Sequence, residues 1–263
     1  MFYIRHLEKK MDVREVQNQH GLNIEKIKMT CAENDLRVPP PLQQGCFFYI
    51  VVGMPGSGKS NLVYSLITKK GFAYNKQFEY VVIFSASLHT LDKKLGLPED
   101  QLIGGFDEYK LQEVLDYINE EKLRALLIFD DVVASIKKGM TAFQRLVWNR
   151  RHQGKGVSIM LVSQRMNAIP LELRAACTGV FFFASKNMTE LEILRKEFVG
   201  LPREEFLDLL KHVFQKKYDF LYLNLLLGED YMVHRNFNLL QITRERDAGT
   251  HRLMPLEENL GGM

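Results

Sequence analysis

Cysteine, long apolar runs and a strong excess of either charge are all scarce in this 263-residue chain, and each shortage removes a class of function. The three cysteines, Cys31, Cys46 and Cys177, cannot pair completely and lack metal-ligand spacing, so reduced thiols with no assigned chemistry are expected. The longest continuous apolar run, Cys46 to Val52, falls far short of the roughly 18 to 20 residues a membrane helix needs, so no integral membrane segment is expected. Charges at Arg5, Glu8, Lys9 and Lys10, with no apolar stretch behind them, do not read as a secretory signal, and an intracellular location is expected. The net charge of +3 and pI near 8.6 do not describe a polycation, so any nucleic-acid binding has to come from local patches. Repeats and low-complexity blocks are not evident.

The chain does carry enough apolar residues, 46%, to bury one sizeable core. Residues 1–45 are charged, weakly periodic and end in Pro39-Pro40-Pro41, which predicts an N-terminal arm finishing in an extended segment. From there, apolar strand candidates at 46–52, 79–84, 124–129, 157–162 and 179–184 alternate with amphipathic stretches at 59–69, 110–121, 141–152, 170–176, 188–198 and 203–214. Near-continuous apolar strands separated by helices predict an α/β fold with a mainly parallel sheet covered on both faces. Tyr218 to Leu223 and Tyr231 to Ile242, across the turn-like Gly228-Glu229-Asp230, read as a hairpin or added strands. A domain over 46–243 with a polar tail at 244–263 is expected.

Gly53-Met54-Pro55-Gly56-Ser57-Gly58-Lys59-Ser60, directly behind the apolar run, is a complete phosphate-binding loop of the G-x-x-x-x-G-K-[ST] form in its strand-to-loop context. Glycines let backbone N–H groups close on phosphate oxygens, and the helix beginning near Lys59 adds its positive dipole end. Lys59 is placed for the β and γ phosphates, Ser60 for Mg²⁺, and Asn61 continues the loop into a helix with Leu62, Leu66 and Tyr64 as candidates for the sheet-facing side. A chance glycine-rich turn is the bland alternative.

Leu126-Leu127-Ile128-Phe129-Asp130-Asp131 is a buried-strand pattern that delivers two carboxylates at its C-terminal end, as in a Walker B motif. Asp130 is the candidate to hold Mg²⁺ through water, and Asp131 to orient or deprotonate the attacking water. About 70 residues separate Ser60 from Asp130 and contain another strand, which predicts a strand inserted between the phosphate-loop and Walker B strands, as in ATPases with a catalytic acid. A guanine-reading Asn-Lys-x-Asp string is not found; the nearest, Asn75-Lys76-Gln77-Phe78, lacks the acid. Gln164, at the end of strand 157–162, is a candidate sensor of the γ-phosphate, with a loop cap as its plain alternative. Trp148-Asn149-Arg150-Arg151-His152-Gln153-Gly154-Lys155 is a cationic cluster suited to an arginine finger or to DNA phosphates, and equally to a solvated helix end. Arg174 and Arg165 are further finger candidates.

In their order, the motifs at 53–60, 126–131, Arg151-His152 and Ser163-Gln164-Arg165, followed by Ile169-Pro170 and Arg174, resemble the FtsK/HerA superfamily. Within it they are most similar to the genome-packaging ATPases of poxviruses, other large DNA viruses and virophages. The resemblance runs from about Phe47 to Phe237. It implies a P-loop ATPase of the catalytic-acid, RecA-like class that binds ATP and Mg²⁺ and forms a homo-oligomeric ring threading double-stranded DNA into a preformed capsid. It assigns Lys59 and Ser60 to ATP and Mg²⁺, Asp130 to Mg²⁺, Asp131 as base, Gln164 as sensor, and Arg151, with Arg150 close behind, as finger. Capsid proteins are implied partners, and the host cytoplasm, a viral factory or the virion the place of work. Lys137 and Lys138 are candidates for DNA contact in the channel. A helicase or recombination-type ATPase, a nucleotide-switched assembly module and a small-molecule phosphotransferase remain as alternatives.

Overall fold

Residues 36–69, 73–88, 96–228 and 232–242 are described by the computed structural model of this chain. Their strands form one nine-stranded sheet in the order β3-β2-β4-β5-β1-β6-β7-β8-β9. The strands are β1 Phe48–Val52, β2 Tyr80–Ser85, β3 Leu102–Gly104, β4 Ala125–Asp130, β5 Val157–Ser163, β6 Gly179–Phe183, β7 Phe220–Asn224, β8 Val233–Arg235 and β9 Asn238–Leu239. The six from β3 to β6 run parallel, and β7, β8 and β9 join antiparallel. The helices are α1 Lys59–Thr68, α2 Glu108–Glu120, α3 Val133–Ile136, α4 Met140–Asn149, α5 Leu171–Ala176, α6 Met188–Ile193 and α7 Arg203–Val213.

The expected sheet covered on both faces is present, and alternation along each strand divides the core in two. Phe48, Ile50, Val52, Leu127 and Phe129 face a cluster that contains Leu111, Phe143, Leu173, Leu191 and Phe206 of α2, α4, α5, α6 and α7. Their neighbours Phe47, Tyr49, Val51, Leu126 and Ile128 face a second cluster with Val63 and Leu66 of α1. Both faces of the central strands are dry, which is why these strands read as unbroken apolar runs. Among the described residues, no helix is long and apolar enough to cross a membrane.

Several boundaries differ from expectation for identifiable reasons. The short edge strand β3 follows no long apolar run and was not anticipated. The α-helix of 141–152 ends at Asn149 and tightens into a 3₁₀ turn over Arg150–His152, and that of 188–198 passes into π-helix at Leu194–Val199. Residues 36–44, expected as part of an arm, pack instead on the α1 face through buried Leu36, Val38 and Leu42, with a cis Pro40–Pro41 peptide in place of an extended segment. The expected turn at Gly228-Glu229-Asp230 and the tail at 244–263 lie outside the described residues, apart from Gly228.

The strand that separates β1 from β4 is β5, not β2, which pairs on the far side of β4. An inserted strand is therefore present, but it comes later in the chain than the 60–130 interval suggested. Register aligns Val52 with Ser163 and Asp130 with Val162, so β1, β4 and β5 end together at one edge of the sheet.

Candidate functional site

Three turns converge on that edge. The loop Gly53 to Gly58 leaves β1 with Gly53 N–H donating to Ser163 O at 3.3 Å and Ser57 N–H donating to Met54 O at 3.1 Å. Gly53 and Gly58 show why this loop needs glycine. A Cβ on Gly53 would lie 2.6 Å from Ser57 Oγ and 2.7 Å from Phe183 Cβ, and Gly58 sits at φ 102, in the left-handed region, as it enters α1. Met54, Pro55 and Gly56 are exposed, whereas Lys59 is buried. Lys59 Nζ donates to Met54 O at 3.0 Å, folding back across its own loop. Burial pulls its pKa below the ordinary lysine value, while Asp130 and Asp131 oppose that shift. Ser57 Oγ is buried with no partner, an unspent polar group inside the loop.

Asp130 ends β4 as a buried residue, and Asp131 turns out of the strand at φ 57 with its N–H donating to Val162 O. Aspartate tolerates this left-handed turn better than most side chains, and the turn sends two successive carboxylates into different surroundings. Tyr64 Oη donates to Asp130 Oδ2 at 3.0 Å. Burial raises the Asp130 carboxyl above its ordinary value, and the neighbouring charge of Asp131 adds to this, against hydrogen bonds from Tyr64 and Ser60 and the charge of Lys59. Burial also pushes the Tyr64 hydroxyl far up, which keeps it a donor. Asp131 Oδ2 accepts from Gln164 Nε2 at 2.7 Å. Both residues are exposed at the sheet edge.

Ser60 and Asp130 supply a hydroxyl and a carboxylate, hard oxygen donors that suit Mg²⁺ completed by water and phosphate oxygens. The Ser60 hydroxyl stands close enough to the Asp130 carboxyl to lower its pKa, so the two donors share one place. Among the described residues no group of three or more His, Cys, Asp or Glu side chains forms a closed protein cage. The donors present therefore fit a metal that arrives with its phosphate ligand.

Lys59, Ser60, Asp130, Asp131 and Gln164 are thus gathered at one edge, as the sequence pattern expected. Asn61 follows Ser60 on the exposed side of α1. The basic cluster is elsewhere. Arg150 and Arg151 precede β5 and sit at the opposite edge of the sheet, roughly 20 Å away along the strand. Arg150 is corrected as a finger candidate: it is buried, its Nη1 donates to Val147 O at 2.7 Å and its Nε to Cys46 O at 3.4 Å. Arg174 is likewise occupied, bonded to both Glu197 oxygens at 2.7 and 2.8 Å and to Ile169 O. Arg151 and Arg165 are exposed, as are Lys137 and Lys138 beyond α3. Cys46 and Cys177 are raised by burial, Cys177 to about 12, in keeping with inert thiols.

Tyr64 was missed as a site residue. The signal was its position four after Ser60, which puts both side chains on one helix face.

No protein-family profile and no curated protein matches this chain. Solved structures do. The genome packaging NTPase B204 from Sulfolobus turreted icosahedral virus 2, in complex with ATP-gammaS, is 16% identical with a TM-score of 0.51, over 74% of this chain and 98% of that one. Its complex with AMP gives 15% identity and a TM-score of 0.53 over the same shares. B204, the DNA-packaging ATPase from Sulfolobus Turreted Icosahedral Virus, is 17% identical with a TM-score of 0.51, over 75% of this chain and 98% of that one. The chain has the P-loop NTPase fold of these proteins, a mainly parallel sheet with helices on both faces.

Proposed function

We propose that the chain is the ATP-hydrolysing subunit of a homo-oligomeric ring that moves double-stranded DNA into a preformed viral capsid. The observation that carries the hydrolytic part is the Asp131–Gln164 pair at 2.7 Å, standing on strand ends beside an intact phosphate loop. A loop that only binds nucleotide needs no oriented carboxylate there. The packaging part is supported by fold likeness over nearly the whole length of two proteins described as a genome packaging NTPase and a DNA-packaging ATPase.

Each residue then has a task. Backbone N–H groups from Gly56 to Ser60 cradle the phosphates, with the start of α1 contributing its dipole. The Lys59 ammonium leaves Met54 O for the β and γ phosphates. Ser60 and Asp130 would hold Mg²⁺, which when bound neutralises charge on the phosphate oxygens. Asp131 orients the attacking water and takes its proton, and Gln164 fixes the carboxylate's direction and exchanges this bond for one to the γ-phosphate or water. Arg151, at the far edge of the sheet, cannot reach the nucleotide of its own subunit and serves a neighbour's. Lys137 and Lys138 carry the DNA contact, gripping phosphates without reading bases. Capsid proteins are the docking partners.

The test is ATP turnover of the purified protein across protein concentration, with and without long duplex DNA, using Lys59→Ala as the blank. Turnover that rises with both concentration and duplex is expected. Turnover indifferent to duplex would overturn the translocase reading, and none at any concentration would point to a nucleotide-switched module.

A further inference from the structure

Beside the phosphate loop opens a pocket of about 690 Å³ that the assigned residues do not fill. One wall is the start of α1. The other is aromatic, built from Phe183, Tyr218, Phe220 and Phe237. We propose that this wall is the base subsite, where the purine of a nucleoside triphosphate stacks on Tyr218, and that it reads the flat face of the ring rather than its hydrogen-bonding edge. The proposal rests on the phosphate loop holding the triphosphate.

The wall is continuous with that loop. A Cβ at Gly58 would lie 3.2 Å from Tyr218 Cδ1 and 3.5 Å from Phe183 Cε1, so both rings touch the turn that leads into α1. Tyr218 stands 56% exposed with its backbone at φ 74, a left-handed conformation that a bulky side chain enters only under constraint. Asp219 supplies the constraint. Its carboxylate accepts from the N–H groups of Gln215 and Lys216, from Arg235 Nη2 at 2.9 Å and from Asn236 Nδ2 at 3.0 Å. Asn236 in turn exchanges hydrogen bonds with the backbone of Phe220, and Phe237 packs on Phe220 with ring centroids 5.3 Å apart. Lys217 Nζ lies over the Tyr218 ring, 4.8 Å from its centroid, and the ring lines the pocket.

The chemistry of the lining decides selectivity. Among the described residues none of the lining side chains is a carboxylate, the group best suited to accept the paired N–H donors of guanine. Asn61 and Ser65 each offer donor and acceptor and suit either purine. Stacking tolerates every base because every base has a π-face.

The test is equilibrium binding of ATP, GTP and inorganic triphosphate, each with Mg²⁺, to the full chain and to Tyr218→Ala, Tyr218→Trp and Lys59→Ala. Tyr218→Ala is expected to weaken ATP and GTP by roughly ten- to a hundredfold while leaving inorganic triphosphate unchanged, with Tyr218→Trp restoring both nucleotides. ATP and GTP are expected within about fivefold of one another on the native chain. Unchanged ATP binding in Tyr218→Ala, equal loss of ATP and triphosphate, or a hundredfold preference between the purines would each overturn the proposal. Failure of the native chain to bind inorganic triphosphate, or undiminished binding by Lys59→Ala, would instead overturn the phosphate-loop reading.

Discussion

The two edges of the parallel sheet handle polar groups in opposite ways. At the edge where β1, β5 and β6 begin, most buried polar side chains close on one another, with Gln43 Oε1 left without a partner. Arg150 binds the carbonyls of Val147 and Cys46, the hydroxyls of Tyr49 and Tyr74 meet at 2.9 Å, and Gln43 Nε2 binds Asn224 Oδ1 at 2.9 Å as well as Thr178 O. At the edge where β1, β4 and β5 end, polar side chains keep capacity in reserve. Ser57 Oγ has no partner, Lys59 spends its charge on a single carbonyl, and Asp131 and Gln164 meet in solvent. A largely satisfied polar network fixes one structure, and polar groups with spare capacity beside a phosphate loop are free to take up a ligand. The difference separates stability from function within a single sheet.

Substitutions at the two edges should therefore report on different properties. The largest effect belongs to Lys59→Ala, which should lower ATP turnover by roughly a hundred- to a thousandfold with little change in melting temperature. Loss of folding instead, seen by thermal denaturation, would erase the contrast. Arg150→Met should do the reverse, costing about 2 to 3 kcal/mol of stability in denaturant titration and sparing nucleotide binding, because two carbonyls lose a buried partner.

These two residues also mark what the sequence let through and what it hid. The loop, the buried β4 with its two acids and the strand leading to Gln164 were legible because each couples a periodicity to a specific chemistry. Arg150 reads as a finger candidate by its charge, whereas its place in the helix argues against that. With Phe143, Leu146 and Val147 it completes an i, i+3, i+4, i+7 stripe, and that spacing already put it on the buried face. β3 is three residues long and carries no pattern to read. Tyr218 had no local signal, since the residues that fix its turn, Arg235 and Asn236, are brought there by the antiparallel strands.

Smaller effects sharpen the contrast. Tyr64→Phe should weaken Mg²⁺ binding in the presence of ATP by roughly tenfold, measured by metal titration, and leave metal-free nucleotide binding intact. An unaltered metal affinity would reduce Tyr64 to packing.

Asp219 gives the smallest effect and a pH signature. Burial works against its charge, but hydrogen bonds from Asn236, the Lys216 N–H and Arg235, with the Arg235 charge, hold it at about 2, below the ordinary 3.8. The unfolded chain then binds the proton first, so this stabilisation is complete above the ordinary value and is lost as pH falls from 3.8 toward about 2. Asp219→Asn should cost about 1 kcal/mol at neutral pH and flatten the acid limb of the stability curve. An acid limb unchanged in the variant would assign it to other carboxylates.

The account turns on Asp131 acting in chemistry rather than in binding, and Asp131→Asn measures that directly when ATP affinity and single-turnover hydrolysis are followed on the same protein. Affinity within about threefold of the native chain, with hydrolysis slowed by roughly a hundredfold or more, is the predicted result. Hydrolysis at the native rate, or loss of binding in step with it, would contradict the role given to the strand-edge carboxylate.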